Sequence, residues 1–201
     1  MMKRRILALA AAACLMTAAS ASASVKVAAA TYPLYDIAKN VIGDAGEVVY
    51  TQDTAEDYDL ILTFGEVTAD NGFNALECVE NAIEGDTDIT TTPINCALVA
   101  FDLADVLAAA DADNAELYSD NMSAYCEELF ALDLEFEDAV TEDTVIRCED
   151  GSMAYFAAEY GVNIDDSAEI TLSAYTSPSG EDQQVPYIEL MRRNLAALKG
   201  E

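Results

Sequence analysis

Histidine is absent from all 201 residues, and this decides most of the chemistry open to the chain. Ser-His and Cys-His catalytic pairs are excluded outright. What remains is 38 carboxylates and five cysteines. Paired carboxylates can hydrolyse glycosides. No pair stands out in so acidic a chain, and tryptophan, a common sugar-stacking residue, is missing. No C-x-x-C and no Gly-rich phosphate loop occur, so thiol-redox and phosphate-binding motifs are lacking. Asp111-Ala112-Asp113-Asn114 has the opening spacing of a calcium loop but neither the glycine at its sixth position nor the distal glutamate. An enzyme is not expected.

The first 23 residues read as an export signal. Lys3-Arg4-Arg5 precede an apolar run from Ile6 to Met16, and Ala21-Ser22-Ala23 forms a small-residue cleavage site. Lipid attachment at Cys14 is the lesser alternative, because no large aliphatic residue stands in Ala11-Ala12-Ala13 before it. The expected location is the periplasm or cell surface. No later stretch is expected to cross a bilayer. The formal charge of −29 becomes −32 once Lys3, Arg4 and Arg5 leave with the leader. Such a surface repels nucleic acid and anionic membranes and gathers cations. Cys78, Cys96, Cys126 and Cys148 remain, an even count that predicts two disulfides in an exported chain, with three possible connectivities.

The elements that must position any site alternate between strand and helix. Val25–Ala30 predicts a strand. Leu34, Ile37, Ala38 and Val41 predict one apolar helical face after Pro33, stopped at Gly43. Glu47–Thr51 and Leu60–Phe64 predict further strands. Leu76–Ile83 predicts a short helix ended at Gly85, Asp88–Thr92 a weak strand, and Pro93 the start of a helix to Ala110. Tyr118, Met122, Tyr125, Leu129, Leu132, Phe136 and Val140 form one stripe of a long helix over Asn114–Val140. Thr144–Cys148 and Glu169–Tyr175 lean to strand, Ser152–Tyr160 and Val185–Lys199 to helix. This order predicts an α/β fold with largely parallel sheets.

Two segments carry a resemblance. Residues 25–49 read VKVAAATYPLYDIAKNVIGDAGEVV. Residues 113–161 contain DNAELYSDNMSAYCEELFALDLEFEDAV and then VIRCEDGSMAYFAAEYGV. In order and separation they resemble the solute-binding proteins of zinc- and manganese-type ABC transporters. The resemblance implies a two-lobed, periplasmic-binding-protein-like architecture of parallel sheets linked by a long helix, with the second lobe incomplete. On that basis residues 24–112 form an N-terminal lobe, 113–140 a linking helix, and 141–201 a short C-terminal lobe.

The resemblance also implies capture of a divalent metal, delivered to an ABC permease by a monomer. The family binds it mainly through histidines. Their positions fall here on Asp88 in the turn Asp86–Pro93, and on Asp150 in CEDGSMAY, with Asp86 and Glu149 as close competitors. Near the family's first histidine only Gln52, Asp53 and Glu56 remain, and the family's last carboxylate has no counterpart. Manganese or zinc is the family's metal, whereas carboxylate ligands favour a hard ion such as manganese or calcium. The alternative is a relative that keeps the scaffold without the transport site, as a cell-envelope structural or interaction protein. It implies that Asp88 and Asp150 lie apart.

Overall fold

The computed structural model describes residues 24–53, 57–65 and 69–201. The expected leader Met1–Ala23, with Cys14, and the candidate Glu56 lie outside the described residues. Two parallel sheets organise the chain. The first has the order β2-β1-β3-β4, from β1 (Val25–Ala29), β2 (Gly46–Tyr50), β3 (Leu60–Thr63) and β4 (Gly72–Asn74). The second has the order β6-β5-β7, from β5 (Val145–Cys148), β6 (Asn163–Ile164) and β7 (Ile170–Leu172). All five strand pairings are parallel. Each sheet therefore needs helical crossovers, and these bury its faces.

Helix α1 (Tyr32–Ile42) follows β1 through the Thr31-Tyr32-Pro33 turn. Pro33 sits in its first turn, where no amide donor is needed. Leu34, Ile37, Ala38 and Val41 are fully buried, the face the spacing predicts. Gly46 opens β2 where no side chain fits: a Cβ there would lie 2.4 Å from the Val25 carbonyl oxygen.

Helix α2 (Pro93–Ala110) starts at Pro93 as expected. It corrects one expectation, because by length and composition it could cross a membrane. Here it is a core helix. Cys96, Ala97, Val99, Ala100, Leu103 and Leu107 are buried, and α2 packs on α1 and α3.

Helix α3 (Ala115–Ala139) is 25 residues, about 38 Å at 1.5 Å per residue. Its stripe buries Tyr118, Tyr125, Leu129, Leu132 and Phe136. The first part packs on α1 and α2. At the other end Phe136 meets Phe156 edge-on at 5.3 Å, on helix α4 (Ala154–Tyr160) of the second lobe. Helix α5 (Tyr187–Lys199) closes the fold against α3 and β7. One hydrophobic core runs through both sheets' helices.

Two local expectations are corrected. Leu76–Ile83 is not a helix; only Ala75–Cys78 forms a 3₁₀ turn. The backbone groups beyond it find tertiary partners instead: the Ile83 N–H donates to the Tyr155 hydroxyl oxygen at 2.7 Å. Asp88–Thr92 is not a strand but a 3₁₀ turn at Ile89–Thr91. Thr91 Oγ1 donates to the Asp88 carbonyl at 2.9 Å, a local bond that competes with extended structure.

The expected disulfides are also corrected: Cys78, Cys96, Cys126 and Cys148 are free thiols. Cys96, Cys126 and Cys148 each have their own carbonyl acceptor, at Thr90, Ala97 and Asp150. Cys96 and Cys126 are buried and pack as small apolar residues. Burial pushes the Cys126 thiol up to about 11 and raises Cys96 further.

Candidate metal centre

In a parallel sheet the strand ends at the carboxyl edge frame the crevice where ligands bind. Both sheets turn that edge toward one place. From the first lobe comes the turn Asp86–Thr92, just before α2. From the second come the loop after β5, residues 149–153, and the segment after β7, residues 173–176. The Tyr32 N–H, just past β1, donates to the Thr176 carbonyl at 3.2 Å.

The structure brings Asp86, Asp88 and Asp150 to this meeting point. Asp88 Oδ2 accepts from the Ser152 N–H at 2.6 Å, and Asp88 Oδ1 from Thr176 Oγ1 at 3.2 Å. Asp86 Oδ2 accepts from Ser152 Oγ at 2.5 Å. Asp86 Oδ1 accepts from the Asp88 N–H at 2.9 Å, which fixes the turn. Asp150 Oδ1 accepts from Ser173 Oγ at 2.6 Å and the Ala174 N–H at 2.9 Å, tying the end of β5 to the end of β7. Gly151 makes the approach possible. Its φ is +81°, and a Cβ there would lie 2.5 Å from Asp88 Oδ2.

Glu149 is exposed, and its N–H donates to the Leu172 carbonyl at 2.8 Å as a continuation of the ladder. Gln52 and Asp53 follow β2 at the carboxyl edge of the first sheet. Among the described residues no group of three or more His, Cys, Asp or Glu side chains could hold a metal ion. Sequence reasoning missed Ser152, Ser173 and Thr176. Serine and threonine in loops carry no signal until the fold shows which carboxylate they face.

A cavity of about 540 Å³ opens beside this contact, lined in part by Cys78, Ile83, Leu98, Tyr155 and Glu159. Burial and the neighbouring Asp102 push the Cys78 thiol up to about 12, so without a metal beside it the group stays a thiol at neutral pH.

The fold is a two-lobed α/β architecture with carboxylates at the lobe junction. Residues 52–184, more than half of the chain, match the family described as zinc-uptake complex component A, periplasmic. The chain belongs to that family. Solved structures agree in fold. Zn(II)-bound AdcA from Streptococcus pneumoniae matches with TM-score 0.74 at 17% identity over 88% of this chain, which spans 57% of the AdcA chain. The metal-dependent lipoprotein YcdH from Bacillus subtilis matches at 0.75 and 17%, over 88% of this chain and 98% of its own. FpvC from Pseudomonas aeruginosa, in complex with Mn²⁺, matches at 0.65 and 15%, over 88% of this chain and 97% of its own.

Proposed function

We propose that this chain is an extracytoplasmic solute-binding protein that captures a divalent metal ion between its lobes and delivers it to an ABC permease. The observation that carries this reading is that Asp86 and Asp88 of the first lobe bond across the junction to Ser152 and Thr176 of the second, with Asp150 on the same loop as Ser152. Family membership supports the role, and the metal-bound relatives support the ligand class. Zinc prefers nitrogen and sulfur ligands in a closed tetrahedral site. Here the donors at hand are oxygens of Asp86, Asp88, Asp150 and their hydroxyl partners. They suit a hard ion, manganese or calcium, with water completing the shell.

One observation favours the second reading, a family scaffold in the cell envelope without metal transport. At least one oxygen of each of the three carboxylates already accepts a hydrogen bond from a serine, a threonine or an amide. Thermal unfolding separates the two. The chain is melted in chelator, then with Mn²⁺, Zn²⁺ and Ca²⁺ in turn at fixed ionic strength. A site saturated at 100 times its dissociation constant adds about 2.7 kcal/mol. Capture predicts a selective rise with one ion, lost in Asp88→Ala and in Asp150→Ala. Equal small rises with all three ions, unchanged in both variants, would leave the scaffold reading standing.

A further inference from the structure

We infer that Asp86 and Asp88, with Ser152 and Thr176, form a latch that keeps the lobes closed with no metal bound. The inference goes beyond metal capture and does not depend on it. It rests on the direction and chemistry of the bonds across the junction. Asp88 Oδ2 and Oδ1 each accept from the second lobe, from the Ser152 amide at 2.6 Å and the Thr176 hydroxyl at 3.2 Å. The Ser152 hydroxyl reaches the neighbouring Asp86 at 2.5 Å. These are hydrogen bonds to carboxylates, the stronger kind. They link residues 64 to 88 positions apart in sequence.

The rest of the junction is built around the latch. Gly151 leaves the space that Asp88 Oδ2 occupies. Asp150 turns back into its own lobe, and its bonds to Ser173 and Ala174 hold the two loops at the spacing the latch needs. Tyr187, buried on α5, donates to the Thr90 carbonyl at 2.8 Å, two residues beyond Asp88. The Tyr155 hydroxyl accepts from the Ile83 N–H on the other flank. A cation that bridges lobes must draw carboxylates together. Here neutral donors do that, and no three-donor group among the described residues waits for an ion. The bonds that join the lobes across this junction are thus made by the chain's own groups. An arriving ion would have to displace Ser152 and Thr176 from the carboxylates rather than pull two open lobes shut.

The test is hydrogen exchange by mass spectrometry on the purified chain, entirely in excess chelator. Slow exchange is expected at residues 86–92 and 149–153 without any metal. Asp88→Ala should speed exchange in both segments at least about tenfold, the loss expected for bonds to a charged acceptor, while β1 and β3 stay protected. Thr176→Val, a milder change, should speed them less but in the same two segments. Fast exchange there in the unsubstituted chain would overturn the latch, and so would Thr176→Val and Asp88→Ala variants that exchange like it. Because no metal enters the experiment, a chain that never binds metal can still pass it, and a metal-binding chain can still fail it.

Discussion

Asp36 is an acid in a place that resists charge. It lies on the second turn of α1, only 7% exposed, under α3 and the start of α5. Tyr125 donates to it at 3.3 Å, Asn40 at 3.1 Å, and the Tyr187 backbone N–H adds a third bond. Lys39 is a nearby favourable charge. Burial outweighs all of these and raises the Asp36 carboxyl above its ordinary value. A raised carboxyl means the folded chain holds a proton the unfolded chain has released. Its contribution to stability is full below about pH 3.9, the unfolded value, and is lost as pH rises through the folded one. Asp36→Asn removes that loss while keeping an acceptor for Tyr125. The variant's melting temperature should gain on the unsubstituted chain as pH climbs from 4 to 7; a difference that stays flat with pH would refute the assignment. Asp36 stands in plain view in TYPLYD, yet sequence gives it no role, because its meaning comes from Tyr125 and Tyr187, 89 and more residues away. The same holds for the candidate centre. Asp86, Asp88 and Asp150 are candidates through the resemblance of the segments that carry them, whereas Ser152, Ser173 and Thr176 depend on which loops the fold brings together.

At the scale of elements, legibility follows whether an element's burial is decided locally. The stripe from Tyr118 to Phe136 announces α3 because a 3.6-residue period needs no partner to be recognised. Pro33, Gly43 and Pro93 mark helix ends by their own backbone limits. β4 and β6, three and two residues long, are strands only because β3 and β5 offer ladders to them. The helix expected over Leu76–Ile83 fails for the converse reason, since Tyr155 takes one of its amides. The β1–β2 pair offers a sharp test of what is local. Gly46 has an extended backbone, φ −156°, that any residue can adopt. Its need for glycine is steric only, from the Val25 carbonyl at 2.4 Å and the Val25 and Ile42 side chains. Gly161 is the opposite case: φ is +69°, and nothing lies within 4 Å of an added Cβ. Gly46→Ala should cost about 1–3 kcal/mol as overpacking, with partial relief when Val25 is also reduced to Ala, since that removes the side-chain contact and leaves the carbonyl contact. Gly161→Ala should cost about 1–2 kcal/mol as backbone strain, with no such relief. Urea unfolding of the Gly46→Ala, Gly161→Ala and Val25→Ala single variants and of the Gly46→Ala, Val25→Ala double variant reads the difference; no relief in the double variant would show that contact with the Val25 side chain does not set the Gly46 cost.

For the whole molecule the dominant quantity is charge. Residues 24–201 carry −32, with 38 acids against six bases. Arg192 and Lys199 both reach Glu135, at 3.1 and 3.6 Å, and so tie α5 to α3 through one acid. Arg193 pairs with Asp182 at 2.7 Å. These pairs are 37–48% exposed, and pairs of that kind contribute about 0.2–1 kcal/mol each. Salt weakens them, but it also weakens the repulsion among the remaining acids, which are far more numerous. At 0.1 M the screening length is about 10 Å, shorter than most separations across the molecule. The repulsion should therefore fall more than the pairs do, and net stability should rise. In chelator at pH 7 the melting temperature is expected to climb from 10 mM to 500 mM NaCl, most steeply at the low end. KCl should act equally at equal ionic strength, because screening does not distinguish monovalent ions. A flat or falling curve would mean that the α3–α5 pairs outweigh the repulsion. The same curve sets the background for any metal response, since Mn²⁺ or Ca²⁺ must exceed it at matched ionic strength before a rise in stability counts as capture at Asp88 and Asp150.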